Sequence, residues 1–244
     1  MFSFLKKNKT PRQLFFATDV HCHIVPGVDD GSPDLETSLE LLERMRSWGL
    51  RHVITTPHMT QDTFENTSAT LDPAFAVLKE GAAKAGIDVK LERTAEHRID
   101  EFFTEQLEKG DIVPYPNNYL LVENSFVQEP YGLDRLLFDL KLKGYKPILA
   151  HPERFRYYQL DPSRYDMLRQ AGNLFQLNIL SLAGYYGKET KQMAEKLVEK
   201  GYIDFLGTDL HHHEHADAIE DYLASKDYRK LCDRGIELMN DTAF

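Results

Sequence analysis

Short apolar runs alternate along the chain with stretches in which apolar residues recur every three or four positions. The runs at 15–20, 52–55, 89–93, 119–123, 147–150, 174–177 and 203–206 predict β-strands. The stretches at 34–48, 73–85, 131–142 and 189–199 have the spacing of amphipathic helices. Strand followed by helix, repeated seven times, predicts parallel strands joined by crossovers, because parallel neighbours cannot be linked by a tight turn. The expected fold is therefore α/β, a distorted (β/α)7 TIM-like barrel in a single domain. Punctuation agrees: Ser32-Pro33 reads as a helix N-cap and first turn, and Gly49, Gly86, Gly144 and Gly201 each follow a helical run. No linker, low-complexity tract or short repeat divides the chain.

With 244 residues and 42% hydrophobic content, the chain can bury one sizeable core. Its 39 acidic against 29 basic residues, net −10, argue against nucleic acid as a partner, since a phosphate backbone needs a basic face. Bound metal ions can still make a local site positive. Two cysteines far apart, Cys22 and Cys232, give no disulfide framework and fit a reducing compartment. Residues 1–11 lack the apolar run of a signal peptide, 1–12 read as a loosely packed N-terminal segment, and no stretch reaches transmembrane length. A cytoplasmic location is expected.

The histidines and carboxylates cluster where the predicted strands end. Asp19-Val20-His21-Cys22-His23 closes the first strand, Thr56-Pro57-His58 the second and Ala95-Glu96-His97 the third. Glu123 closes the fourth, Ala150-His151-Pro152-Glu153-Arg154 the fifth and Thr208-Asp209-Leu210-His211 the last. In a parallel β/α barrel every strand C-terminus opens on one face, and that face carries the active site. On extended backbone His21 and His23 point to one side and Cys22 to the other. A lone His-x-His is a weak sign; six strand ends carrying ligand types are not. Nine candidates, His21, His23, Asp30, His58, Glu96, Glu123, His151, Asp209 and His211, exceed what one ion coordinates. Two or three divalent ions are expected, a cluster suited to clamping a phosphate and activating water. Arg154 could fork onto phosphate oxygens, and Arg98 is a second candidate. His52 and His97 read as structural, and His212, His213 and His215 as a solvated loop. Phe126, Tyr131, Phe155, Tyr157, Tyr158, Tyr185 and Tyr186 could wall an aromatic substrate or simply pack.

The ordered motifs Asp19-Val20-His21-Cys22-His23-Ile24-Val25-Pro26-Gly27-Val28-Asp29-Asp30-Gly31, Thr56-Pro57-His58, Ala95-Glu96, Val122-Glu123, Leu149-Ala150-His151-Pro152-Glu153-Arg154-Phe155 and Gly207-Thr208-Asp209-Leu210-His211 carry a resemblance. Together, over roughly residues 17–212, they resemble the polymerase-and-histidinol-phosphatase (PHP) type tyrosine phosphatases of bacterial capsule and exopolysaccharide operons. The Pro-Gly-x-Asp-Asp-Gly after the histidine pair is distinctive of that branch. The resemblance implies a trinuclear, generally manganese-dependent centre on the same nine residues, with iron or zinc as alternatives, and hydrolysis by a metal-bound hydroxide without a phosphoenzyme. It puts the phosphate-contacting arginine at Arg154 and catalysis at Arg154, Asp209 and His211. It implies as partner the phosphotyrosine-bearing tail of a bacterial tyrosine autokinase. Cys22 replaces a common serine. Relatives often carry another arginine beyond the Asp-x-His, where this chain reads His212-His213-Glu214-His215-Ala216.

Four alternatives are weighed against this. A thiol-based phosphatase needs a cysteine followed by five residues and an arginine, but Val28 and Leu238 stand at that spacing from the two cysteines. A small-molecule phosphatase, for example of histidinol phosphate, would use the same metals behind different rim loops. A nuclease-like PHP domain conflicts with the acidic balance, and a silent binding module with the presence of all nine ligand types.

Overall fold

A computed structural model describes residues 13–244; the loosely packed segment expected at 1–12 lies outside the described residues. Nine short strands are present among the described residues: β1 Thr18–Asp19, β2 His52–Thr55, β3 His58–Met59, β4 Lys90–Arg93, β5 Glu96–Arg98, β6 Tyr119–Glu123, β7 Lys146–Ala150, β8 Leu174–Asn178 and β9 Phe205–Gly207. They form a three-stranded sheet, β1-β2-β4, and a six-stranded sheet, β3-β5-β6-β7-β8-β9, and every strand pairing is parallel. The result is a mixed α/β fold whose parallel sheet curls into a half-barrel. An isolated parallel bridge, Cys22 to Leu210, brings the residues after β1 beside those after β9.

Ten helices are described: α1 Leu35–Ser47, α2 Ser68–Ala85, α3 Glu101–Lys109, α4 Leu133–Leu142, α5 Arg156–Leu160, α6 Ser163–Gln170, α7 Ile179–Ala183, α8 Lys188–Glu199, α9 His213–Ala224 and α10 Lys226–Asp233. The start of α1 differs from expectation. Its N-cap is Asp34, whose carboxylate accepts from Thr37 N at 2.8 Å, and not Ser32. Pro73 does not open α2 but lies inside it; the helix starts five residues earlier, where Thr67 N–H donates to Thr70 Oγ1 at 3.0 Å. His213 and His215 belong to α9 with His212 as its N-cap, so this stretch is helical and not a solvated loop.

Alternation along the strands decides what fills the inside of the curl. Tyr119 and Leu121 of β6, Ile148 and Ala150 of β7, and Phe205 of β9 pack inward in one apolar cluster with Val20, Ile54 and Tyr115. Leu120, Val122, Leu149, Leu177 and Leu206 have the opposite parity and join the larger core under the helices, with Leu41, Leu42, Met45 and Trp48. Burying each such aliphatic side chain contributes about 1.5–3 kcal/mol. The inward parity then continues past the apolar layer: after Leu121 it reaches Glu123, and after Phe205 it reaches Gly207 and Asp209. Above a dry plug, the strand ends therefore turn polar groups into one space.

Candidate metal centre

All nine candidate residues meet at that end. They fall into four overlapping groups: His23, Asp30, His58 and His211; His21, His23 and Glu96; His21, His151 and Asp209; His58, Glu96 and Glu123. Within each group the donor atoms lie within 4.8 Å of one another. Four residues, His21, His23, His58 and Glu96, belong to two groups each. His21, His23, Glu96, Glu123, His151 and Asp209 are almost wholly buried, while Asp30 and His58 face the opening.

Backbone geometry at two strand ends aims these groups. His151 and Asp209 both adopt positive φ, 31° and 50°, a conformation costly for residues with a Cβ and typical of functional sites. Two glycines are needed for close approach. A Cβ on Gly31 would stand 2.0 Å from His23 O, and one on Gly207 would stand 2.7 Å from both Gln176 Nε2 and His21 Cβ. Asp19 ties the first and last strands together by accepting from Thr208 N at 3.0 Å and Thr208 Oγ1 at 2.6 Å. Burial nevertheless raises its carboxyl to about 6.

A second ring of side chains orients the first. Gln176 Oε1 accepts from His21 Nδ1 at 2.7 Å, and Asp29 Oδ2 lies 2.9 Å from His23 Nδ1. Asp29 also accepts from His58 N and Gly31 N, each at 3.0 Å. Asn178 Nδ2 donates to Asp209 Oδ2 at 2.6 Å. With Nδ1 engaged, His21 and His23 present Nε2 to the centre, 3.2 Å apart and 3.3–3.4 Å from carboxylate oxygens of Glu96 and Asp209.

The electrostatics call for cations. Burial and the neighbouring Glu96 charge push the Glu123 carboxyl upward. Burial opposes charge on His21, yet Glu96 and Asp209 outweigh it and lift the imidazole to about 9. Carboxylates in this dry pocket thus attract protons onto groups that normally lack them. His151 Nδ1 has no hydrogen-bond partner, and Glu96 Oε2 and Glu123 Oε2 receive no well-directed hydrogen bond, although His58 Nδ1 lies 3.1 Å from the first and Arg98 Nε 2.9 Å from the second. Buried, orphaned oxygens beside imidazoles are what divalent ions of borderline hardness satisfy, so the donor set fits such ions.

The cluster floors a cleft of about 430 Å³. On its rim, Arg154 Nη1 donates to Asp209 Oδ2 at 2.8 Å, and the guanidinium lies between the rings of Phe126, 4.9 Å from the centroid, and Tyr186, 4.1 Å away. Arg98 Nε pairs with Glu123 Oε2 at 2.9 Å and also faces the cleft. Of the seven candidate wall aromatics, Phe126 and Tyr186 line it; Phe64, stacked on His58 at 5.8 Å, lines it as well. Phe155 and Tyr158 are core residues instead, and Tyr131 is fully exposed. Cys22 is buried in the outer core, away from the cleft. His97 is buried against Phe103, and His52 lies beside Glu92. His215 is buried too, its Nδ1 3.2 Å from Asp209 O. Asp29, Gln176 and Asn178 escape a motif reading; polar residues at inward parity in an otherwise apolar strand are the signal for the last two.

A parallel α/β half-barrel with a histidine and carboxylate cluster at its strand C-termini defines a class of metal-centre folds. A solved amidohydrolase from Mycoplasma synoviae shares this fold, with a TM-score of 0.55 at 12% identity over 91% of this chain and 82% of that one. More specifically, the chain belongs to the CpsB/CapC family, described as capsular polysaccharide synthesis, which it matches over residues 17–229. It is 34% identical over 194 residues to the tyrosine-protein phosphatase YwqE of Bacillus subtilis, covering 79% of this chain and 76% of that protein. It is 28% identical over 230 residues to the tyrosine-protein phosphatase CpsB of Streptococcus agalactiae, covering 91% and 93%. A solved structure from work on YwqE of Bacillus subtilis and CpsB of Streptococcus pneumoniae, described as metal-dependent tyrosine phosphatases, superposes with a TM-score of 0.78. That match is 32% identical and covers 93% of this chain and 96% of the other.

Proposed function

We propose that this protein is a metal-dependent protein-tyrosine phosphatase whose substrate is the phosphorylated tail of a bacterial tyrosine autokinase of capsule or exopolysaccharide assembly. The observation that carries the reading is the set of four interlocking ligand groups flooring a cleft with an arginine on its rim. The family description and the relatives named tyrosine-protein phosphatase support the substrate class. His21, His23, Asp30, His58, Glu96, Glu123, His151, Asp209 and His211 would hold two or three divalent ions, manganese first and iron or zinc as alternatives. When bound, such ions supply positive charge against the phosphoryl oxygens and acidify a coordinated water.

The rest of the work falls to the chain. Arg154 would bind the phosphate through its fork, held in plane by Phe126 and Tyr186, with Arg98 a second contact. Asp29, Gln176 and Asn178 hold the inner ring in one tautomer and orientation. Asp209 and His211 stand at the reacting end of the cleft, and Phe64 and Phe126 give a phenyl ring apolar walls. The same reading takes the chain as a single-domain, seven-unit PHP barrel, β2 with β3 and β4 with β5 each counting as one interrupted strand. It places the protein in the cytoplasm, in keeping with two cysteines outside any disulfide and no described helix long and apolar enough to cross a membrane.

The test is hydrolysis of a phosphotyrosyl peptide beside histidinol phosphate, after chelation and re-addition of Mn, Fe or Zn. Metal-restored activity that favours the peptide is expected. Preference for histidinol phosphate would keep the centre and replace the substrate, and degradation of oligonucleotides would point to a nuclease.

A further inference from the structure

We infer that a groove beside the cleft, between α5 and α8, docks an acidic stretch of the substrate polypeptide flanking the phosphorylated residue; this rests on the phosphatase reading above. The groove encloses about 510 Å³ and shares Arg154 and Tyr186 with the cleft, so the two cavities run into each other around that stacked pair. A phosphorylated side chain reaching down to Arg154 leaves its backbone at the cleft mouth. From there one direction of the chain leads into the groove.

Apart from Arg154, which pairs with Asp209, the charges in the groove form no ion pair among the described residues, and they are of one predominant sign. Arg156 opens α5 and Lys196 lies on α8; both line the groove, both are exposed, and neither forms an ion pair among the described residues. Of the other cations on α8 and just past its end, Lys191 is engaged by Asp227 at 3.0 Å and Lys200 by Asp166 at 2.6 Å, while Lys188, outside the groove at the start of α8, is like Lys196 without an ion pair among the described residues. The groove's single carboxylate, Glu189, sits at the α8 end beside Gly187, with Oε2 4.0 Å from where a Cβ on that glycine would lie. In a chain of net charge −10, an uncompensated basic strip next to the active cleft is selective for negative charge.

The floor is fixed before any ligand arrives. Gln159 Nε2 donates to Glu153 O at 2.8 Å and to Thr190 Oγ1 at 3.2 Å, pinning α5 to the first turn of α8. From Thr190 to Lys196 the helix rises about 9 Å, the length of roughly three extended residues. The preferred substrate is thus a phosphotyrosyl peptide with Asp or Glu within about three residues on one side of the phosphorylated position.

The experiment compares the full-length, metal-loaded enzyme with Arg156→Glu/Lys196→Glu and the milder Arg156→Gln/Lys196→Gln. Substrates are para-nitrophenyl phosphate and phosphotyrosyl peptides carrying acidic or alanine flanks on either side. The wild type should favour one acidic-flank peptide, and the preference should shrink as salt rises. Charge reversal should cut kcat/KM for that peptide about tenfold, mainly through KM, the neutral pair should lose less, and para-nitrophenyl phosphate turnover should stay unchanged. Equal use of acidic and alanine flanks by the wild type, or an unchanged kcat/KM in the reversed variant, overturns the groove and leaves the phosphatase reading standing. Wild-type enzyme that hydrolyses histidinol phosphate and none of the peptides overturns both.

Discussion

Arg154 and Asp209 form an ion pair at the mouth of the cleft: the guanidinium donates to Oδ2 at 2.8 Å while Oδ1 of the same carboxylate faces His21 and His23 at 3.3 and 3.4 Å. One carboxylate therefore joins the residue proposed to grip phosphate to the residues proposed to hold metal. The guanidinium carbon lies over the rings of Tyr186 and Phe126, contacts that a lysine ammonium would not use in the same way. Arg154→Lys is expected to behave nearly as badly as Arg154→Ala. Each should lose about 1.5–3 kcal/mol of transition-state binding, roughly ten- to a hundredfold in kcat/KM. Steady-state kinetics decide it: a lysine variant with wild-type kcat/KM would mean that a point charge suffices.

Gln176 fixes His21 from a strand whose sequence otherwise reads as apolar core. Gln176→Leu removes the acceptor for His21 Nδ1 and leaves a side chain of similar bulk. Loss of such an outer partner costs about 10–100-fold in metal affinity. Competition against a chelator of known strength reads this directly, and the variant should need more metal to reach half-maximal activity. An unchanged midpoint would show that His21 is oriented by packing alone.

How far these features were legible depends on distance along the chain. The histidine and carboxylate motifs fall at strand ends, and local alternation with the parallel connection rule places those ends on one face, so the nine candidates could be grouped before any coordinates. Asp29 and Asp30 show the limit: they are neighbours of one type, yet the fold buries Asp29 against His23 and His58 N and leaves Asp30 on the cleft wall. Nothing in a loop's local pattern separates the two. His215 was misread because three histidines in four positions resemble a polar loop, while the buried face of α9, with Ala216 and Ile219, becomes visible only over a longer window. Phe155 and Tyr158 went to the core because a single turn of 3-10 helix at Pro152–Arg154 redirects the chain after His151.

Removing metal should soften the fold as well as stop hydrolysis. Glu96, Glu123 and Asp209 are buried together, and Glu96 and Glu123 each keep an oxygen that receives no well-directed hydrogen bond. Ions that bind only the folded state at a hundred times their Kd add about 2.7 kcal/mol. For a domain of this size, that corresponds to a Tm lower by roughly 5–10 °C after chelation. Thermal melts with EDTA and with graded Mn, Fe or Zn measure it, and recovery of Tm and of activity should share one midpoint. Full stability in the chelator would mean that protons alone settle the carboxylates.

His52 offers a pH response remote from the cleft. It begins β2 at the opposite end of the sheet, buried, with Nε2 2.9 Å from Glu92 Oε2. Burial holds its pKa below the ordinary 6.5, and Lys90 adds to this, while the Glu92 carboxylate pulls the other way without prevailing. The folded state therefore binds the His52 proton less readily than the unfolded state does. Its contribution is fully present above 6.5 and is lost progressively as pH falls from there through the lower folded pKa. Glu92, whose own carboxyl is held below its ordinary 4.5, acts only in a lower window and does not mask the effect. His52→Gln keeps a hydrogen-bond donor and removes the titration. Between pH 7.5 and 5.5 the wild type should lose Tm relative to that variant, on the order of 1 °C for a fraction of a kcal/mol. A Tm difference that stays flat across the range, or an NMR titration of His52 above 6.5, would reverse the sign of the argument and make the contact with Glu92 a charged pair.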